Sequence, residues 1–476
     1  MERDEFFWLN RLSEATVVVD LQHGQFAHEL ATRALQGIAT LEAQGKSDPK
    51  VRVTRYIDWE PRFLALTGPE LSVIHAGRSS QDMLSTLRTA LFRDRLIDVL
   101  HAFDAMLTHW LTLAETHRDT VVPSYTNGVA AQPTSLGHTF LAHISSLLRA
   151  RAELTRVLCA YNRSAMGAMV LNGTRWPLDR KGMATALGFE APVENAFDAT
   201  CFAPVDFVLA ASAPLAQIAV RLGSFLADVM VQYAQPRPWI LLAEGGENTY
   251  ISSAMPQKRN PGLINNCREA ASDVVANATV ALTRAHNVTP GMTDGKSVAK
   301  NRAILEAFRT LVTQFDKVLS ALRINADRAL EELNLDWTGS QEVADRLMLE
   351  HHLPFRVGHH MASRLVTFAR QQGFTPLTVP YEDVVRLYRD EITTHFPEAD
   401  PVFPMSEAAF RAALDPREIV RARATAGSAA PEQVDQLLAS ARSALKRETD
   451  AVDAIASQRD AALRALEQHV KDVLTA

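Results

Sequence analysis

The chain has 476 residues, 47% of them hydrophobic and 22% charged, with a formal net charge of −6. That is the composition of a soluble globular protein with several domains or one long helical body, and the acidic balance argues against a general nucleic-acid partner. Cys159, Cys201 and Cys267 are few, odd in number and widely spaced, the pattern of a reducing compartment without a disulfide framework.

In chain order, the opening "MERDEFFWLN" is acidic and lacks the apolar core of a signal peptide, so a cytoplasmic location is expected. Residues 1 to about 110 read as helices broken near 45–51 and 66–73. Residues 137–160 and 207–233 read as long helices with apolar content on more than one side, which places them inside a bundle or an oligomer. The longest apolar run, 207–220, is too short for a membrane span and contains Pro214 and Gln217. Over 300–324, Ile304, Phe308, Leu311, Phe315, Val318 and Leu322 recur at steps of three and four, one stripe of a long helix. Four histidines lie in "HHLPFRVGHH" (351–360), but no carboxylate or cysteine accompanies them at a familiar ligand spacing, and no metal is expected. Beyond about 362 the chain is richer in loops, with three prolines in 396–406, and it ends in a charged helix. The reading is all-α in three segments: an N-terminal helical domain (1–110), a central long-helix bundle shared between subunits (111–361) and a C-terminal helical domain (362–476).

Three polar islands interrupt this pattern: "HAGRSSQD" (75–82), "YTNGVAAQP" (125–133) and "YISSAMPQKRNP" (250–261). The third combines two serines, a lysine, an asparagine and Met-Pro just after Gly245 and Gly246, and it reads as a mobile loop, 245–262, carrying polar side chains. Lying far apart in the chain, the islands meet only through folding or association.

The third island is similar to the signature loop of the fumarase/aspartase superfamily, G-S-S-x-M-P-x-K-x-N-P, matching at Ser252, Ser253, Met255, Pro256, Lys258, Asn260 and Pro261. The first two resemble the H-T-G-R-S-R-N-D and Y-T-H-L-Q-x-A-Q-P segments of its argininosuccinate lyase branch. "ENAFDAT" (194–200), "LNLDW" (333–337), "ADRLMLEHHLPFRVGHH" (344–360) and "ALDPREIVRARATAGSAAPEQV" (413–434) extend the likeness over nearly the whole chain.

The resemblance implies a homotetramer whose long helices form a 20-helix core, with active sites shared between subunits. It implies elimination from a succinyl group of a small dicarboxylate to release fumarate, without metal or organic cofactor and without nucleic-acid or membrane partners. By analogy Ser252 is the base, Lys258 supplies positive charge to the enolate-like dianion, and Asn260 and the loop amides donate hydrogen bonds. A helix starting near Gly262 adds its positive end. Ser253, Ser79, Ser80, Gln81, Thr126 and Gln132 match substrate-binding or framing positions; their structural alternative is a helix cap or a satisfied amide.

The chain departs from the branch at several of these positions. Ile251 replaces the glycine before the serine pair and stiffens the hinge. The branch's histidine and its glutamate partner are Asn127 and Asn265, two amides able to pair without charge. Ser80 replaces an arginine, removing a bidentate carboxylate clamp. In "MTDGKSVAKNR" (292–302), Thr293, Lys296 and Val298 stand where the branch holds the arginine part of its substrate, so the substrate is expected to be altered, with Lys296 or Lys300 facing an acidic leaving group. The leading expectation is a carbon–nitrogen lyase acting on an N-substituted aspartate. The alternatives are a C–O lyase or isomerase on another dicarboxylate, and a structural or regulatory paralogue without catalysis.

Overall fold

The computed structural model describes residues 3–476. Near the N-terminus lie α1 (Glu5–Gln22), α2 (His28–Ser47) and α3 (Tyr56–Thr67). Then α4 (Ser80–Thr116) runs for 37 residues, about 55 Å at the usual helical rise. It is followed by the hairpin β1 (Val121–Thr126) and β2 (Val129–Ser135), and by α5 (Leu136–Tyr161). Two-residue strands β3 (Arg163–Ser164) and β4 (Ala191–Pro192) flank α6 (Arg180–Ala186), and α7 (Ala196–Cys201) leads into α8 (Ala203–Gln232). Next come β5 (Ile240–Leu242), the pair β6 (Tyr250–Ile251) and β7 (Arg259–Asn260), α9 (Gly262–Ala285), α10 (Val298–Ala321) and β8 (Leu322–Ile324). The remainder is α11 (Ala326–Leu335), α12 (Ser340–Leu349), α13 (Phe355–Gln372), α14 (Tyr381–His395), α15 (Glu407–Leu414), α16 (Pro416–Arg421) and α17 (Pro431–Thr475). The all-α expectation holds; among the described residues the strands form only four two-stranded pairs.

α4, α5, α8, α9 and α10 form the bundle, and aromatic contacts fix their directions. Phe92 meets Phe207 near the starts of α4 and α8, while Trp110 meets Phe225 and Phe315 near the far ends of α8 and α10. α4, α8 and α10 therefore run parallel. α5 returns, bringing Phe140 of its first turns against Trp110. α9 also returns, since Arg284 near its end donates to Asn301 in the first turn of α10. The apolar faces of these five helices make one core, together with Val434–Val452 of α17.

The expected limits at 110 and 361 both fall inside continuous helices, α4 and α13. α17 does not stay with the C-terminal segment. Its first half packs on the bundle, and Leu463 and Leu466 join the N-terminal core built on α1, α2 and α3. A separate core of α12–α15 side chains spans Trp337–Leu414. The apolar run at 207–220 is part of a longer helix than expected: α8 is, among the described residues, long and apolar enough to cross a membrane, with an 18-residue window of mean hydropathy 1.5. It lies instead against α4, α5, α9 and α10, although Val220 and Val231 remain exposed. The three cysteines are free.

Candidate functional site

The signature loop is a short hairpin. Tyr250 pairs with Asn260 and Ile251 with Arg259, leaving 252–258 as the connecting turn. The Ser252 amide donates to the Lys258 carbonyl at 3.1 Å, closing the turn. The Ser252 hydroxyl oxygen accepts from the backbone N–H groups of Ala254 (3.4 Å) and Met255 (3.2 Å). Two donors aimed at one hydroxyl oxygen favour its deprotonated form. Lys258 is exposed and its ammonium donates to Asn260 Oδ1, while Asn260 Nδ2 donates to the Tyr250 carbonyl at 3.3 Å. The polar partners of the Ser252 hydroxyl are thus backbone amides, while the Lys258 ammonium is engaged by Asn260. Ser253 is exposed in the turn.

Ile251 sits in extended pairing geometry and is 60% exposed, so its side chain projects into solvent. The left-handed residues are Gly245 (φ 90°) and Gly246 (φ 57°), which carry the backbone freedom at the entrance to the hairpin. Arg259 anchors the other arm through Glu244 (3.0 Å) and the Pro256 carbonyl (2.6 Å). α9 begins at Gly262, as expected; a methyl group there would lie 3.0 Å from the Tyr250 ring.

The first island opens α4. Ser79 is its N-cap: the hydroxyl accepts from the Gln81 amide at 3.2 Å and the Ser79 amide donates to Asp82 at 2.7 Å, a complete capping box. Ser80 and Gln81 occupy the first turn, where the positive end of the helix favours an anion, although the Gln81 amide is already taken by the Ser79 hydroxyl. Beneath them Asp82 is buried and also accepts from the Gly167 amide at 3.0 Å. Burial pushes its carboxyl up to about 6. The capping role foreseen as an alternative for Ser79 is therefore present in the fold.

The second island is the tip of the β1–β2 hairpin. Asn127 (φ 53°) and Gly128 (φ 75°) both adopt left-handed backbone between paired Thr126 and Val129, the geometry of a tight two-residue turn. Thr126, Asn127 and Gln132 are exposed. Tyr125 roots the hairpin: its hydroxyl accepts from Gln232 Nε2 (3.1 Å) and Trp239 Nε1 (3.0 Å) and donates to the Glu332 carboxylate.

Asn265 lies exposed in the first turn of α9, in a groove of about 790 Å³ between α8 and α9 that Arg268 and Glu269 also line. Among the described residues, its side chain and that of Asn127 make no hydrogen bond with each other. Arg268 and Glu269 were not foreseen; the signal for Glu269 is its position one helical turn after Asn265.

Direction separates the islands. The hairpin follows the end of α4, and the signature loop sits at the same level, where Glu247 pairs with Lys317 near the end of α10 at 2.6 Å. Ser79–Gln81 lie at the opposite end, the full length of α4 away. A single chain brings the second and third islands to one end and leaves the first at the other.

A family described as lyase matches residues 29–276. Argininosuccinate lyase of Methanothermobacter thermautotrophicus is 29% identical over 451 residues, covering 89% of this chain and 91% of that protein. Among solved structures, EDDS lyase superposes with a TM-score of 0.86 at 22% identity, covering 99% of this chain and 92% of that one. The 3-carboxy-cis,cis-muconate lactonizing enzyme of Pseudomonas putida superposes with a TM-score of 0.67 at 17% identity, over 94% of this chain and 96% of that one.

Proposed function

Because the chain belongs to this lyase family, as an argininosuccinate lyase-like member of the fumarase/aspartase superfamily, we propose that it is a carbon–nitrogen lyase that eliminates an amine from an N-substituted aspartate and releases fumarate. The observation that carries this reading is the pair of backbone amides on the Ser252 hydroxyl oxygen. A serine is a poor base unless its alkoxide is stabilised, and here the donors are in place before any substrate arrives.

In the proposed reaction the Ser252 alkoxide takes a proton from the carbon next to a succinyl carboxylate. The electron pair moves into that carboxylate, which becomes a dianion facing Lys258, Asn260 and the positive end of α9. The pair then returns to form the carbon–carbon double bond, the carbon–nitrogen bond breaks, and the nitrogen leaves with its electrons as fumarate forms. With Asn127 in place of a histidine, an amine that is already protonated leaves without a proton from that position. Ser79, Ser80 and Gln81 seat a succinyl carboxylate at the start of α4, and Ser253, Thr126, Gln132, Asn127 and Asn265 line the remainder.

The first island lies too far from the other two within one chain, so this reading requires other copies to complete each site. A homotetramer with antiparallel bundles meets that requirement. The three free thiols support a reducing compartment such as the cytoplasm.

The test is fumarate release, followed by its absorbance, from a panel of N-substituted aspartates. Ser252→Ala lowers turnover at least about 10²-fold on any true substrate. Full activity in that variant overturns the assignment of the base.

A further inference from the structure

A second cationic centre lies at the α4-start end of the bundle. Lys296, in the connection between α9 and α10, is 5% exposed. Its ammonium has one hydrogen-bond neighbour, the Gly291 carbonyl, at the long distance of 3.5 Å. The ionisable groups acting on it are Arg88, of like charge, and the Cys201 thiol. Arg88 Nη1 is itself buried without a hydrogen-bond partner. Burial lowers the Arg88 guanidinium to about 10, and burial followed by Arg88 lowers Lys296. Among the described residues, neither cation is paired with a carboxylate. Two desolvated like charges without a counter-ion are costly, and an anion entering between them relieves that cost.

Their placement says which anion. On α4, Gln81, Leu84 and Arg88 are the partly exposed positions of a stretch whose other residues from Asp82 to Ala90 are buried. Spaced by three and four, they form one track along the helix. Arg88 lies seven residues beyond Gln81, about 10 Å along the axis. Around Lys296 the connection is pinned where Asn301 donates to the Gly295 carbonyl at 2.9 Å, while residues 289–294 are exposed.

We propose that Arg88 and Lys296 bind a carboxylate carried by the leaving amine, so that the preferred substrates are N-(carboxyalkyl)aspartates, with the succinyl carboxylate at Ser79–Gln81 and the second acid at the far end of the track. This deepens the elimination reading above and rests on it for turnover, but not for binding.

Two probes of matched length separate the cases: N-(2-carboxyethyl)aspartate and its neutral counterpart N-propylaspartate. With the intact enzyme, kcat/KM favours the acid at least about tenfold, and Arg88→Gln or Lys296→Met reduces that preference about tenfold, chiefly through KM. Lys296→Met keeps the side-chain volume and removes a buried charge, so folding is retained. Thermal-shift titration of the Ser252→Ala enzyme reads binding without turnover, and the acid stabilises it at lower concentration than the neutral probe. If neither probe releases fumarate yet the binding preference persists and is lost on Lys296→Met, the elimination reading fails and the subsite stands. Equal binding of the two probes, or a preference unchanged in both variants, overturns the proposal.

Discussion

The two ends of the bundle solve different problems. At the α4 start, polar groups are buried and fixed: Asp82 is clamped by backbone amides, Arg78 donates to Thr16 at 3.0 Å, and Lys296 is nearly without solvent contact. At the other end, Ser252–Lys258 forms an exposed turn hinged on two left-handed glycines. Residues that recognise charge profit from a rigid, dry setting, whereas residues that must approach and release a substrate need a loop with little core to break. Each end has what the other lacks, and the length of α4 keeps them apart.

The largest effect that sharpens this contrast is expected at the exposed end. Lys258→Met removes the loop's ammonium without touching any core, so turnover falls at least about 10²-fold while the melting temperature stays within about a degree. A comparable loss of stability would erase the distinction between the ends. The next effect belongs to the buried end. Burial raises the Glu14 carboxyl to about 7, and raises Asp20 and Asp82 to about 6. In the folded chain these groups hold protons that the unfolded chain has already released between about pH 4 and 7. Their contribution to stability is therefore greatest at low pH and is lost as pH rises through the folded values. Glu14→Gln should stabilise the chain by about 1–3 kcal/mol at pH 8, with the difference closing below about pH 5, as measured by denaturant unfolding across that range. A pH-independent difference would mean that packing, not charge, decides that site. The smallest effect concerns the hairpin tip. A methyl group at Gly128 meets nothing within 4 Å, so Gly128→Ala tests backbone strain alone and should cost about 1 kcal/mol.

Much of this architecture is legible in the sequence because long amphipathic helices announce themselves locally. The stripe from Ile304 to Leu322 corresponds to α10, with the helix ending at Ala321 and Leu322 passing into a strand. The signature loop and the start of α9 at Gly262 are equally readable. The Asn127–Gly128 hairpin carries a strong local signal, an Asn-Gly pair between β-forming residues, and its left-handed turn accounts for Asn127 without any reference to a replaced histidine. Segment limits at 110 and 361 failed to mark breaks because neither helix is interrupted there, and the return of α17 onto two cores depends on contacts remote in the chain. Lys296 could be named as a candidate from its position, but its burial beside Arg88 is a tertiary fact that no local pattern encodes.

The span of α4 also has a kinetic meaning. If catalysis needs the start of one such rod beside the finish of another, then a lone chain holds two half-sites and no complete one. Specific activity would then depend on protein concentration, fading upon dilution and recovering with a lag as copies find each other again. The enzyme would carry its own threshold: below a certain abundance, substrate would accumulate untouched even though every molecule was correctly folded.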